Sequence, residues 1–146
     1  MLALAAGVLA ALDTVDAAAC SCLPSTPRAD YRNADAAFIG RLVKVRRVGI
    51  ASAVLRYRVE RSYKRRLGDI VGIWTPFYGP SCGLPRQKGR RYALFIYRDG
   101  RKWGSNLCSL TTPGVLRDAA RRSGRARASR RACAARQAPG TTDSRK

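Results

Sequence analysis

The stretch AAACSCLP, residues 17–24, lies where a leader peptide is expected to end and a folded domain to begin. The apolar run over residues 2–12 is typical of the hydrophobic region of a signal peptide, and it is too short to span a bilayer. Ala17 and Ala19 supply the small residues that a signal peptidase recognises. We therefore predict that residues 1–19 are a signal peptide, that the protein is secreted without a transmembrane helix, and that Cys20 becomes the amino terminus.

Cys20 has three possible roles at that position: lipid anchor, half of a disulfide, or the first residue of a mature protein whose terminus acts directly. Lipoprotein processing also cleaves just before a cysteine, so Ala18-Ala19-Cys20 fits that signal too. Lipidation would block both the thiol and the amine of Cys20 and leave the CxC pattern without a use. A lipid anchor through Cys20 is therefore the minor alternative.

The composition excludes several kinds of active site. The chain of 146 residues contains no histidine, which excludes Ser-His-Asp and Cys-His nucleophilic sites and histidine-ligated metals. No glycine-rich phosphate loop is present, and no two carboxylates in residues 20–116 form a close pair in the sequence. We predict that the protein is not an enzyme and has no cofactor of its own.

The formal net charge of +20 suggests polyanionic partners. Most basic residues lie within 20–116, and a solvated arginine-rich surface is the alternative explanation. The candidate basic surface consists of Arg46, Arg47, Arg56, Arg58, Arg65 and Arg66. Single-stranded nucleic acid is an unlikely partner, because such sites expose aromatic rings, whereas Tyr57, Tyr92 and Phe95 are predicted to face the core.

Short strands dominate the predicted elements. Thr26-Pro27 is a helix-start signal for a short helix that ends near Asp35. Residues 36–48 are strand-like, with Ile39, Val43 and Val45 predicted to share one face. Strict alternation over 53–61 predicts a half-buried strand with Arg56, Arg58 and Glu60 facing outward. Further strands are predicted at 70–75, at 92–97 and around 102–105, with a loop at 76–90 and an Asp99-Gly100 hairpin turn.

This pattern predicts a mostly β fold, a five-stranded antiparallel barrel of the OB type with short flanking helices. The domain is predicted to cover residues 20–116, with a short final helix opened by Thr112-Pro113. Residues 117–146 form a basic tail with few large apolar residues, predicted to be disordered beyond Arg122.

Four of the five cysteines lie in the predicted domain: Cys20, Cys22, Cys82 and Cys108. In a secreted domain of this size they are expected to form disulfides, and three pairings are possible. In an extended strand Cys20 and Cys22 point the same way, so each can reach a different loop. Cys133 is left over in the tail, free or available for an intermolecular bond.

Five motifs, CSCLP, ADAAFIGRLVKV, SCGLP, GRRYALFIY and NLCSLTTP, resemble the amino-terminal domain of the tissue inhibitors of metalloproteinases. The resemblance extends in order and spacing from Cys20 to about Leu116, as a single-domain relative. It implies a netrin-like OB barrel with disulfides Cys20–Cys82 and Cys22–Cys108. The cysteine that would complete a third family disulfide with Cys133 is absent, since Arg32 and Asn33 stand in that region, and the turn over residues 46–52 is short.

The resemblance also implies a function, inhibition of zinc metalloproteinases by a wedge inserted into the protease cleft. The α-amine and carbonyl oxygen of Cys20 would chelate the zinc of the target protease. The implied wedge consists of Cys20, Ser21, Cys22, Leu23, Pro24, Tyr78, Gly79, Pro80 and Ser81. The alternative function is a secreted netrin-like module that binds acidic polymers or cell-surface partners, with the cysteines serving only as staples.

Overall fold

A computed structural model describes residues 20–77 and 82–137, with the backbone alone for residues 126–137. The helices are α1 (Pro27–Asn33) and α2 (Pro113–Gln137), with a 3-10 turn at Leu107–Ser109. The strands are β1 (Ala36–Val48), β2 (Ser52–Ser62), β3 (Ile70–Pro76), β4 (Arg91–Asp99), β5 (Lys102–Gly104) and β6 (Leu110–Thr111). The mostly β fold is confirmed, as are the Thr26 cap of α1 and the hairpin that pairs Asp99 with Lys102.

Five strands form a ring in the order β1-β2-β3-β5-β4, which β1 closes by pairing with β4 as well as with β2. The short β6 pairs with β4 outside this ring. The pairing of β3 with β5 is parallel and the others are antiparallel, so the prediction of a wholly antiparallel sheet is wrong in this detail. The reason is geometric: directions can alternate all the way round a closed ring only if the number of strands is even.

Strand β1 departs from simple alternation. Its register shifts between Ile39 and Gly40 and again between Leu42 and Lys44, as β-bulges do. The prediction that Ile39, Val43 and Val45 share one face is therefore wrong, because Val43 is exposed and Leu42 is buried instead. Gly40 lies at the first shift, where a Cβ atom would be 2.7 Å from the carbonyl oxygen of Arg58, so a side chain there would clash with β2.

Two clusters of buried side chains lie on the two faces of the sheet. The inner core fills the ring and includes Phe38, Leu42, Leu55, Tyr57, Ile73, Tyr92, Leu94 and Ile96. The outer core joins β1 and β4 to the helices and includes Tyr31, Ile39, Phe95, Leu116 and Ala119. Alternate residues of β1 and β4 supply the two clusters, so both strands are buried on both faces over part of their length.

Helix α2 is longer than the short helix predicted and continues through residues 123–137, a segment predicted to be disordered. Leu116 and Ala119 are buried in the outer core, so the folded unit extends past the predicted boundary at residue 116. The high helix propensity of alanine and arginine favours the continuation. None of the helices in the described part of the chain is long and apolar enough to cross a membrane. Residues 138–146 lie outside the described part.

The carboxyl-terminal end of α1 is held by the Lys64 ammonium. The Nζ atom donates to the backbone carbonyls of Tyr31 at 3.1 Å, Arg32 at 2.6 Å and Ala34. A cation suits this position, because unpaired carbonyls and the helix dipole make a helix end electronegative. Lys64 lies beyond the end of β2, so this contact fastens α1 to the sheet without a covalent bond.

Replacing Lys64 by methionine is expected to lower the free energy of unfolding by about 2 kcal/mol, because charged hydrogen bonds to three backbone carbonyls are lost. Urea denaturation of the oxidised protein measures the change. Lys88→Met is the matched control, since Lys88 is exposed and surface substitutions cost less than about 0.5 kcal/mol. Equal losses in the two variants would contradict the clamp.

Burial raises the pKa of Tyr57 well above its ordinary value of 10.0, with a smaller contribution from Tyr92. The hydroxyl has no hydrogen-bond partner within the described residues. Above pH ~10 the unfolded chain loses this proton and the folded chain keeps it, so stability falls by about 1.4 kcal/mol per pH unit. Tyr57→Phe is expected to be at least as stable at pH 7 and to lose less stability between pH 10 and 11 in urea titrations. Identical slopes for the two proteins would contradict this assignment.

Candidate functional site

The segment Cys20–Thr26 crosses one edge of the ring and is fastened there by two disulfides. Cys20 is bonded to Cys82 and Cys22 to Cys108, the pairing that the resemblance implies, with Cα–Cα distances of 5.4 and 5.5 Å. The two partner loops contact each other, since the Leu107 amide donates to the Cys82 carbonyl at 2.7 Å. One short stretch of chain is thus bonded to two adjacent loops.

The parallel pairing of β3 with β5 explains why these loops are adjacent. Cys82 follows β3 and Cys108 follows β5. Because parallel strands end at the same edge of a sheet, the two segments leave the ring side by side. Two cysteines separated by one residue in an extended chain can then reach both loops. The CxC spacing therefore lets one short segment bond to both loops.

Each partner loop is also fixed by hydrogen bonds to the ring. Beyond β5, the Ser105 amide donates to the Trp74 carbonyl at 3.0 Å, and the Asn106 side chain accepts from the Cys108 amide at 3.0 Å. Beyond β3, the Leu84 amide donates to the buried Thr75 hydroxyl at 2.9 Å. The disulfides therefore attach the amino-terminal segment to loops that are themselves positioned by the sheet.

The fastened segment presents exposed side chains. Ser21, Cys22 and Pro24 are exposed, and Leu23 is 91% exposed although it is a large apolar residue. Cys20 is half-buried. The other end of the segment is held by α1, where the Ala29 amide donates to the Thr26 hydroxyl at 3.2 Å. The disulfides at one end and the Thr26 cap at the other thus hold the segment while its other side chains stay open to solvent.

The second part of the predicted wedge, Tyr78 to Ser81, lies outside the described residues. Phe77, immediately before it, is half-buried against the inner core. Its ring lies between two guanidinium groups, with the Cζ atoms of Arg47 and Arg86 4.6 and 4.2 Å from the centroid. Arg86 also donates to the Phe77 carbonyl at 3.4 Å. Phe77 is therefore held by cation–π contacts that the sequence pattern did not reveal.

The six predicted basic residues are not all on one surface. The register pairs Arg46 with Val54, Arg56 with Lys44 and Arg58 with Arg41. The basic side chains in these pairs are exposed and form one surface, called here the outward basic face. It consists of Arg41, Lys44, Arg46, Arg56 and Arg58. Arg47 instead pairs with Ala53 on the other face of the sheet, and Arg65 and Arg66 lie beyond the end of β2.

Two tryptophans, in β3 and β5, make cation–π contacts with basic side chains. The Lys102 ammonium lies 4.1 Å from the Trp74 ring centroid, and the Arg98 guanidinium lies 4.4 Å from that of Trp103. Trp74 and Lys102 line an open groove of about 500 Å³ that extends to Tyr97 and Asn106. Burial raises the pKa of the Tyr97 hydroxyl above its ordinary value of 10.0. Sequence reasoning missed this groove, because its lining comes from separate strands and loops that only the sheet brings together.

Three predicted aromatic positions do face the interior. Tyr57 is completely buried, and Tyr92 and Phe95 are 6% and 2% exposed. These rings are therefore not available for stacking on bases. Within the described residues, no group of three or more histidine, cysteine, aspartate or glutamate side chains lies close enough together to hold a metal ion.

A scan against protein-family models and a search of curated proteins both find no match to this chain.

Proposed function

We propose that this protein inhibits zinc metalloproteinases by inserting the segment that begins at Cys20 into the active-site cleft of the protease. The observation that carries the proposal is the double fastening of Cys20 and Cys22 to two adjacent loops, with Ser21, Leu23 and Pro24 exposed between and beyond them. A structural staple needs neither a CxC pair nor a large apolar side chain held in solvent.

The ring topology supports a netrin-like OB barrel as the scaffold of this inhibitor. The closed order β1-β2-β3-β5-β4 with β3 parallel to β5 is the connectivity that an OB barrel requires. The two disulfides agree with the pairing expected of the inhibitor family. Fold alone does not determine activity, so the proposal depends on the chemistry of the amino terminus.

A free Cys20 would offer two donors to a metal, the α-amine and its own carbonyl oxygen, which close a five-membered chelate. The catalytic zinc of a protease keeps one open coordination position, normally filled by water. An α-amine has an ordinary pKa of about 8, so zinc can capture the neutral form near pH 7 with little cost for proton release. The Cys20 thiol is then used for anchoring, and the backbone binds the metal.

Rigidity decides whether such a chelate is tight. A mobile terminus would lose conformational freedom on binding, and this loss would weaken the complex. The disulfide through Cys20 and the cap at Thr26 restrict the segment before binding. Ser21 would point toward the primary specificity pocket of the protease, where its small side chain fills little space, so broad inhibition is expected.

Adding one alanine before Cys20 is expected to abolish inhibition. The added residue converts the α-amine into an amide, which is a poor zinc ligand, and it occupies the space next to the metal. The measurement is the inhibition constant of oxidised protein that begins at Cys20, beside the extended form, against a panel of zinc metalloproteinases. The expected loss is at least a hundredfold.

The control for this experiment is thermal unfolding of both forms, which should agree because both disulfides remain. Inhibition by the extended form equal to that by the shorter one would contradict the chelate. The absence of inhibition by either form across the panel would contradict the proposed function itself.

A second candidate function is the binding of acidic polymers, and the outward basic face favours it. Lys44 lies opposite Arg56 and Arg41 opposite Arg58, and like charges in directly opposed positions destabilise a sheet. Glu60 pairs with Arg41 at 3.6 Å and with Arg91 at 2.6 Å. Within the described residues, no ion pair involves Lys44, Arg56 or Arg58. A polyanion laid along β1 and β2 would offset this repulsion.

Heparin is the probe for this second function, and its affinity is expected to fall steeply as salt rises from 50 to 200 mM. The double variant Arg56→Gln, Arg58→Gln is expected to weaken binding at least tenfold and to reduce the salt dependence. The matched control Arg101→Gln, Arg90→Gln removes the same charge from exposed loop positions. Salt-independent binding, or equal loss in the two double variants, would contradict this function.

A further inference from the structure

A cavity of about 600 Å³ lies between the end of β2 and helix α2, away from the amino-terminal segment. Its lining consists of Arg61, Tyr63, Arg117, Ala120 and Arg121. Arg61 and Tyr63 come from the end of β2 and the residue beyond it, and the other three come from α2. The packing of Tyr63 and Ala120 against the outer core fixes the position of this cavity relative to the sheet.

The lining is strongly cationic and contains no acid. Arg117 and Arg121 are separated by four residues, which places them on one side of α2, where like charges repel. Arg61 adds a third guanidinium from the sheet. Asp118 contacts Arg121 at 2.7 Å, but both side chains are exposed, and such surface pairs contribute little. Three guanidinium groups therefore surround one cavity with one weak counter-charge at its edge.

Tyr63 positions the cation that comes from the sheet. The Arg61 guanidinium lies 5.5 Å from the centroid of the Tyr63 ring, a cation–π distance that restricts the arginine. Arg61 is thus positioned before any ligand binds.

We propose that this cavity binds a tetrahedral oxyanion, a sulfate or phosphate group, with the guanidinium groups of Arg61, Arg117 and Arg121 as its main ligands. Guanidinium groups donate paired hydrogen bonds that match such oxyanions. The cavity is larger than one oxyanion, so it also accommodates part of a molecule that carries the group as an ester.

The ligand would be distinct from a polymer on the outward basic face. Arg61 lies opposite Ile39, near the end of β2 and next to the outer core. Arg56 and Arg58 lie earlier in β2, on the outward basic face. The proposed site also includes α2, which contributes nothing to the outward basic face. The proposed site therefore shares no residue with the outward basic face or with the amino-terminal segment.

The test is a titration of the oxidised protein with sodium sulfate and with sodium phosphate, followed by two-dimensional NMR. Sodium chloride is adjusted to hold the ionic strength constant. Saturable shifts are expected in the signals of Arg61, Tyr63, Arg117 and Arg121. Arg61→Gln and Arg117→Gln are each expected to weaken binding about tenfold, as expected for a lost charged hydrogen bond.

Arg101→Gln is the matched control, since it removes one exposed charge outside the cavity and should change the affinity less than twofold. The double variant Arg56→Gln, Arg58→Gln should likewise retain the site. A sulfated disaccharide distinguishes the source of the group: tighter binding than inorganic sulfate indicates an ester, and equal binding indicates the free ion. The absence of saturable shifts, or a tenfold loss in Arg101→Gln, would overturn the proposal.

Discussion

The structure depends on β1, which pairs with β2 along one edge and with β4 along the other. The two register shifts in β1 bend the strand, as β-bulges do, and the bend helps it to close the ring. Gly40 lies at the first shift because the backbone of β2 approaches too closely for a side chain. The inner core exists because this strand closes the ring around it.

Closure with five strands has a consequence for the amino-terminal segment. An odd ring must contain one parallel pair, here β3 with β5, and parallel strands end at the same edge. The loops that carry Cys82 and Cys108 are therefore neighbours, and Cys20 and Cys22 can bond to both. The chain-entropy model gives up to about 4 kcal/mol for each disulfide of such long loops. The disulfides therefore fix the segment by the same geometry that closes the ring.

The parts of the fold that local chemistry determines could be predicted from the sequence. The Thr26-Pro27 cap, the alternation of β2 and the Asp99-Gly100 hairpin depend on residues close together in the chain. The faces of β1 could not be predicted, because its register shifts are imposed by two partner strands. A parallel pair could be predicted only once a closed ring with an odd number of strands is assumed. For the candidate site, spacing alone left three cysteine pairings open, and the cation–π contact of Phe77 with Arg47 joins residues distant in sequence.

The distribution of charge is the feature that stability does not explain. Opposed like charges on β1 and β2, and three arginines around one cavity at α2, each oppose folding, while the inner core and the disulfides supply the compensating free energy. Lys64 differs from these arginines, because its ammonium group donates hydrogen bonds to the carbonyls at the end of α1. The interior is filled with apolar and aromatic side chains, so recognition must take place on the surface. Within the described residues most of these cations have no acidic partner, the exceptions being Arg41 and Arg121. This excess of unpaired positive charge is the observation that supports the proposals of anion binding.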